Sequence, residues 1–295
     1  MAQKQPAIVV CFVRACWFVP GLRAKMEPMP AIDAAIGLLT CPVCADALTR
    51  EHRQLRCGRG HSFDIARQGY VNLLRGPAPA NADTAEMVAA RERFLFAGYY
   101  QPIREAVCSA CEPGGRLAEV GVGPGYYLGA AVAATHPPAH LGLDISVAAA
   151  RRAARRMMAC AVADTWQTLP IGSGSLDRLL CIFAPRNPPE FARVLATGGQ
   201  VVVVAPRPQH LAQLRARLGL LNVEDDKLAR LDASFAAAGL ELVSRQELTF
   251  DIDLDAAATA DLVGMGPNAF HDGARDFPRA LTTTVAVAIS SYESD

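Results

Sequence analysis

The sequence predicts an α/β chain: a doubly wound parallel sheet preceded by a small metal-stapled module. Three observations predict it. Apolar runs near residues 116–121, 139–144, 159–163, 176–183 and 199–205 alternate with helical patterns, the mark of strand–helix–strand crossovers. The first run ends in a glycine-rich turn, Leu117-Ala-Glu-Val-Gly-Val-Gly-Pro-Gly-Tyr-Tyr127. Upstream, Cys41-Pro-Val-Cys44 and Cys57-Gly-Arg-Gly-His61 stand at the spacing of a metal knuckle.

The 295 residues suffice for one large α/β domain and an appendage, and 51% are hydrophobic, enough for a sizeable core. The formal net charge is +0, which excludes a whole-protein basic field as the basis of any affinity for nucleic acid. Lysine occurs only at Lys4, Lys25 and Lys227, so the positive charge is nearly all arginine. Nine cysteines, an odd number without the spacing of a secreted scaffold, imply reduced thiols and a cytoplasmic setting. The apolar run at 7–19 is too short to span a bilayer and Arg14 interrupts it, so no membrane segment is expected. Four regions follow: 1–39, a poorly ordered extension with a short helix near 31–39; 40–75, the metal module; 76–112, linker and helices; 113–295, the large domain. Residues 1–28 have no period and are expected to be dispensable, with Met26 or Met29 as an alternative start.

In the module, three thiolates and one imidazole suit tetrahedral Zn²⁺, with twelve residues between Cys44 and Cys57. A unit this short cannot bury enough apolar surface alone, so the metal supplies folding energy. Four ligands leave no open coordination position for catalysis. Arg50, Arg53, Arg56, Arg59, Arg67 and Arg75 outnumber Asp46, Glu51 and Asp64, with Phe63, Tyr70 and Asn72 among them. That mixture suits folded RNA, through phosphate contact and base stacking, or is simply a solvated surface.

Residues 75–83 read as a linker of proline, glycine and small residues. A helix is predicted over 84–96 with Asp83 as N-cap, then a break at Tyr99-Tyr100-Gln101-Pro102, with Pro102 opening the next helix. Cys108 and Cys111 lack a partner pair and read as structural, as do Cys160 and Cys181 in strand-like runs. Arg151, Arg152, Arg155 and Arg156 form a solvated helix face or a further RNA contact. Gly239 ends a helix over 226–238, and the β-patterned stretches 240–252 and 281–291 are expected to pair antiparallel.

Gly121, Gly123 and Gly125 leave no side chain between backbone and ligand, and the next helix aims its first amides at the turn. A dinucleotide fingerprint would place its third glycine where Tyr126 stands. With Glu119 before the first glycine, the stretch resembles motif I of class I S-adenosylmethionine (SAM) methyltransferases. The resemblance implies that Glu119 neutralises the methionine ammonium and that the glycines admit the cofactor. Asp144, ending the next run, can take both ribose hydroxyls. Ligands in open α/β sheets collect at the carboxyl ends of strands. That rule selects Asp164, for the adenine amino group or as a turn cap; Phe183, for stacking on a target base or for core packing; and His210, as cofactor contact or helix N-terminal residue.

The run His61-Ser-Phe-Asp-Ile-Ala-Arg-Gln-Gly-Tyr-Val-Asn-Leu-Leu74, with the cysteines before it, closely resembles the zinc module of the 23S rRNA (guanine-N1)-methyltransferases. Ala97-Gly-Tyr-Tyr-Gln-Pro102, Phe183-Ala-Pro-Arg-Asn-Pro-Pro-Glu190 and Val263-Gly-Met-Gly-Pro267 resemble its Gram-positive, tylosin-resistance branch. The resemblance covers about residues 38–290. It implies a Rossmann-like class I SAM-dependent methyltransferase with an N-terminal zinc module, often a homodimer. The implied substrate is a guanosine in a 23S rRNA hairpin lining the peptide exit tunnel, with macrolide resistance as a consequence. Carried over by motif, zinc falls on Cys41, Cys44, Cys57 and His61, and SAM on Tyr100, Gly123, Pro124 and His210. Glu119 stands where many members carry aspartate. Phe183 and Arg186 are the candidates for holding the reacting base and a flanking phosphate or guanine edge; no side chain announces itself as proton acceptor. Two rivals stand beside this: a small-molecule SAM methyltransferase with the module as lid, and a non-enzymatic zinc and RNA binder.

Overall fold

The computed structural model describes residues 31–77, 79, 82–220, 224, 226–266 and 277–294. The expectations placed on residues 1–30 lie outside this set.

A 3₁₀ turn at Ala31–Ala35 stands where the short first helix is expected. The module then folds as an antiparallel trio, β1 (Leu48–Glu51), β2 (Gln54–Cys57) and β3 (Ser62–Asp64), followed by the short β4 (Val71–Asn72). Helix α1 (Ala85–Phe96) is capped by Thr84, whose hydroxyl accepts from the Met87 amide at 3.2 Å. The expected cap, Asp83, sits one residue too early for that bond and instead pairs with Arg91. Helix α2 (Gln101–Ser109) has proline in its first turn, where a missing N–H costs nothing.

The large unit alternates as read except at one crossover, where residues 163–175 join β7 to β8 without the expected helix: β5 (Leu117–Val120), α3 (Tyr126–Thr135), β6 (His140–Asp144), α4 (Val147–Arg155), β7 (Cys160–Val162), β8 (Leu176–Ile182), α5 (Pro188–Val194), β9 (Leu195–Pro206) and α6 (Ala212–Leu218). Then come α7 (Lys227–Ala236), β10 (Leu240–Asp255), α8 (Ala256–Gly264) and β11 (Ala280–Ser294). The eight-stranded sheet runs β10-β11-β9-β8-β5-β6-β7-β4. Strands β4 to β9 pair parallel, whereas β10, β11 and β9 pair antiparallel, closing one edge with the expected long pair.

The opposite edge strand is β4, contributed by the metal module: Val71 and Asn72 pair with Ala161 and Val162 of β7. Side chains alternate across the sheet, so it builds two cores. On one face Leu55, Val71 and Leu73 of the module cluster with Ala161, Ile171, Phe191 and Phe235. On the other, α1 to α4, α6 and α8 bury Phe94, Ile103, Leu128, Ala153, Leu214 and Leu262 against Cys160, Val162 and Leu180. The module therefore shares its core with the sheet. Cys160 and Cys181 are fully buried, and desolvation pushes both thiols up, the inert state expected of them.

Candidate functional site

The metal cluster is local. Cys41 and Cys44 flank one turn, Cys57 ends β2, and His61 follows the second turn before β3. Their four donor atoms lie within 4.8 Å of one another. Cys44 Sγ is 3.6 Å from Cys57 Sγ, and His61 Nδ1 lies 3.6 Å from Cys41 Sγ and 3.4 Å from Cys57 Sγ. A tetrahedron with Zn–S and Zn–N bonds near their usual lengths has edges of about 3.5–3.8 Å, so thiolates and imidazole stand at zinc spacing. The spacing and the resemblance both pointed to these four residues, and the geometry brings them together through Nδ1 of the histidine.

The module's arginines divide. Arg50 pairs with Asp33 at 3.0 Å, Arg56 with Glu51 at 2.9 Å and Arg59 with Asp46 at 3.1 Å. Arg53, Arg67 and Arg75 are exposed and form no ion pair among the described residues.

The second site is a cavity of about 700 Å³ at the carboxyl ends of β5 to β8, reached also by α1, Tyr100 just before α2, the start of α3, the loop before α6 and the end of α8. Its floor is the glycine turn, sutured to β6 by the Gly121 and Val122 amides donating to the Leu143 carbonyl at 2.8 and 3.0 Å. Gly121 has φ +70, and a Cβ there would stand 2.5 Å from that of Ala184, so only glycine fits. Asp144 accepts from the Gly123 amide at 2.9 Å and the Ser146 amide at 2.8 Å while lining the cavity; burial pushes its carboxyl up.

Tyr100, Phe183 and His210, three residues from distant segments, form one aromatic group in the lining of the cavity. Their ring centroids lie 5.9 Å (Tyr100–Phe183), 5.8 Å (Phe183–His210) and 6.2 Å (Tyr100–His210) apart. Nδ1 of His210 accepts from the Ala286 amide at 3.3 Å, so in the neutral ring Nε2 carries the proton and faces Tyr100 Oη at 3.5 Å. Burial, with Arg215 and Lys227 nearby, lowers the His210 pKa to about 4, keeping it neutral. Phe183 keeps φ +54, a conformation that side-chain-bearing residues rarely adopt, and is 39% exposed. Its ring stands at the cavity mouth and not in the core. Asp164 lines the cavity and meets the turn-cap reading, accepting from the Trp166 amide at 2.9 Å.

Three predicted residues are not among those lining the cavity. Glu119 is 1% exposed, behind the turn, and accepts from the Leu128 amide at 2.9 Å; burial raises its pKa well above the usual carboxylate range. Gly125, φ +81, packs between α3 and Ala153 of α4. Arg186 is half-buried beside the wall, its Nε buried without a hydrogen-bond partner among the described residues.

The sequence reading missed Asp83, Arg91 and Trp166, all lining residues. Trp166 is 65% exposed two residues beyond Asp164, and the strand-end rule reaches that loop. Arg91 sits mid-helix, with no motif around it to single it out.

A Rossmann-like sheet, a glycine turn with a carboxylate at the next strand end, and a Cys₃His knuckle define a class I SAM-dependent methyltransferase carrying a zinc ribbon. A chain from the complex of the Haloferax volcanii Trm112 methyltransferase activator with its methyltransferase shares this fold, with a TM-score of 0.52 at 16% identity over 73% of this chain and 99% of that one. Residues 39–79 match the zinc-ribbon family described as RlmA, N-terminal. The 23S rRNA (guanine(748)-N(1))-methyltransferase of Streptomyces fradiae is 41% identical over 82% of this chain and 89% of its own length. A Micromonospora griseorubida protein named for 23S rRNA guanine-N(1) methylation is 42% identical over 86% of this chain and 96% of its own length. The chain belongs to the 23S rRNA (guanine-N1)-methyltransferase family.

Proposed function

We propose that this chain methylates N1 of a single guanosine in a 23S rRNA hairpin lining the peptide exit tunnel, using SAM, and that it acts in the cytoplasm as a homodimer. The observation that carries the proposal is the cavity itself. It is lined by the glycine turn with Asp144 and by the Tyr100–Phe183–His210 group, which is exposed at Phe183. It has room for a nucleoside cofactor with a base beside it. Tylosin-type macrolide resistance is the corresponding cellular outcome. No described helix is long and apolar enough to cross a membrane.

When bound, SAM supplies an electrophilic methyl on a sulfonium, so the protein's task is chiefly to hold two reactants in near-attack geometry. In this reading Asp144 takes the ribose and Asp164 the adenine, and Gly121, Gly123 and Pro124, which share the cavity lining, allow close backbone approach. Tyr100 and His210 border the remaining space. The tautomer argument makes Tyr100 an acceptor from His210, which leaves the phenolic proton for another acceptor. His210 has no free lone pair and so cannot take the guanine N1 proton. Phe183 is the stacking surface for an extruded base, held outward by its own backbone conformation. Arg186 is the neighbouring cation for a flanking phosphate. Zinc, held by Cys41, Cys44, Cys57 and His61, has a structural role.

The test is methylation of a hairpin transcript read by primer extension. A modification at N1 blocks Watson–Crick pairing and stops the reverse transcriptase. Free guanosine should be a poor substrate, because remote RNA contacts do the positioning. Equal methylation of guanosine and hairpin, or a product that reverse transcriptase reads through, would refute it. Light scattering of the purified chain tests the homodimer.

A further inference from the structure

The methionine end of SAM is a zwitterion, an ammonium and a carboxylate on one carbon. Charge-assisted hydrogen bonds are the strong ones, so a cation and an anion side by side suit such an end. Among the described residues lining the cavity, Arg91 is the only arginine or lysine. It stands on α1 over the glycine turn: a Cβ on Gly123 would lie 3.4 Å from Arg91 Cδ. One guanidinium nitrogen pairs with Asp83, which also lines the cavity, and another donates to the Met265 carbonyl at 2.5 Å. The side chains of Arg91 and Asp83 are 25% and 23% exposed, so both charges remain partly open to the space they border. Asp83 is anchored from behind, its carbonyl accepting from Ser146 Oγ at 2.7 Å, and Ser146 in turn is fixed to Asp144.

The other cavity acids have separate work. Asp144 holds two loop amides, and Asp164 holds the Trp166 amide. Glu119, to which the motif resemblance gave the ammonium, faces the Leu128 amide and does not line the cavity. A paired cation and anion, adjacent to the glycine turn and held by Met265 after α8 and Ser146 after β6, is complementary in charge to one amino-acid zwitterion.

We infer that Arg91 and Asp83 form the subsite for the amino-acid end of the cofactor, Arg91 taking the carboxylate and Asp83 the ammonium. This rests on the proposal that the cavity binds SAM. On binding, the ligand carboxylate takes a guanidinium edge now given to the Met265 carbonyl, and the Arg91–Asp83 pair persists as the bridge between the two ligand charges.

The test compares two ligands on the purified, zinc-loaded full chain by calorimetry. S-adenosylhomocysteine carries the zwitterion; 5′-deoxy-5′-methylthioadenosine has the same nucleoside and sulfur without it. Arg91→Lys, Arg91→Ala and Asp83→Asn should each weaken S-adenosylhomocysteine, by about 10- to 100-fold for Arg91→Ala, the range expected when a charge-assisted hydrogen bond is removed. Methylthioadenosine affinity should stay at the wild-type value. Equal weakening of both ligands means that the pair only braces the cavity, and unchanged binding of both means that it does not touch the ligand; either overturns the inference. If the wild-type chain binds neither ligand, the SAM proposal fails with it. A wild-type chain that binds both while the Asp83 and Arg91 variants bind neither defeats the subsite alone. Arg91→Lys keeps the charge and the helix, so it reports on the site even if the alanine variant folds poorly.

Discussion

The metal cluster and the cavity are opposite solutions to holding a ligand. The cluster draws four donors from Cys41 to His61, closes them within 4.8 Å, and leaves no free position. The cavity draws its lining from residues between Pro79 and Gly266 and stays open over about 700 Å³. The first is set by local chain geometry and returns folding energy to its surroundings. The second exists only once the sheet has assembled, and its residues keep unused hydrogen-bonding capacity. The two are nonetheless coupled, because the module's Val71 and Leu73 lie in the same apolar cluster as Ala161 and Ile171. A closed site can therefore act as the foundation of an open one.

The largest effect should come from removing the metal. Cys44→Ser should abolish zinc in the purified protein and lower Tm by about 10 °C or more, since structural zinc contributes several kcal/mol and each kcal/mol moves a chain of this size by about 2–4 °C. Binding of S-adenosylhomocysteine should weaken as well, through β7. Wild-type affinity in a zinc-free protein would show that the regions are independent.

Next is acid. His210 is neutral in the fold, with its pKa lowered to about 4 from 6.5. A group with a depressed folded pKa favours the fold above its unfolded pKa and loses that advantage as pH falls through the folded value. His210 should therefore cost about 3 kcal/mol of stability between pH 6.5 and 4. Zinc is also released in acid, so the measurement is the stability difference between wild type and His210→Gln by urea titration, in which the zinc contribution cancels. That difference should move in favour of the variant as pH drops; a constant difference would contradict the assignment.

Gly121→Ala tests the cavity floor alone. Its Cβ meets Ala184 at 2.5 Å at a φ of +70, so it should cost about 1–3 kcal/mol and reduce cofactor affinity, while zinc content stays full. Unaltered cofactor binding would show that the turn is not the floor.

The smallest effects, about 1 kcal/mol or less each, belong to the module's arginines. Arg53, Arg67 and Arg75 are unpaired among the described residues, whereas Arg56 and Arg59 are held by Glu51 and Asp46. Replacing the first three with alanine should flatten the salt dependence of hairpin binding by about one unit of slope each. Replacing Arg56 and Arg59 should change it less. The reverse order would show that RNA displaces the ion pairs.

The cluster and the glycine turn were legible in the sequence because their residue types and spacing carry the chemistry within a few positions. Tyr100, Phe183 and His210 could be assigned one by one from strand ends and resemblance. Their mutual contact could not, because it depends on α2, β8 and the loop after β9 meeting across the sheet. Glu119 shows the limit of a motif. The carboxylate is where the pattern puts it in sequence, yet the start of α3 offers an amide closer than the cavity does. Asp83 was legible as a charged residue before a helix, but Thr84 has the extended conformation and the bond that a cap requires. Arg91 and the β4–β7 pairing had no local signal at all: one is a charge on an ordinary helix, the other two residues in a short strand.

That two-residue strand has a consequence for behaviour in crowded solution. Without β4, β7, made of the fully buried Cys160, Ala161 and Val162, would become an outermost parallel strand with bare amides and carbonyls. Such an edge is a template for pairing with another chain. Zinc bound by the cluster, which shares no residue with the cavity lining, would thus guard the protein against self-association: chelation should yield oligomers and turbidity before it yields monomeric unfolded chains.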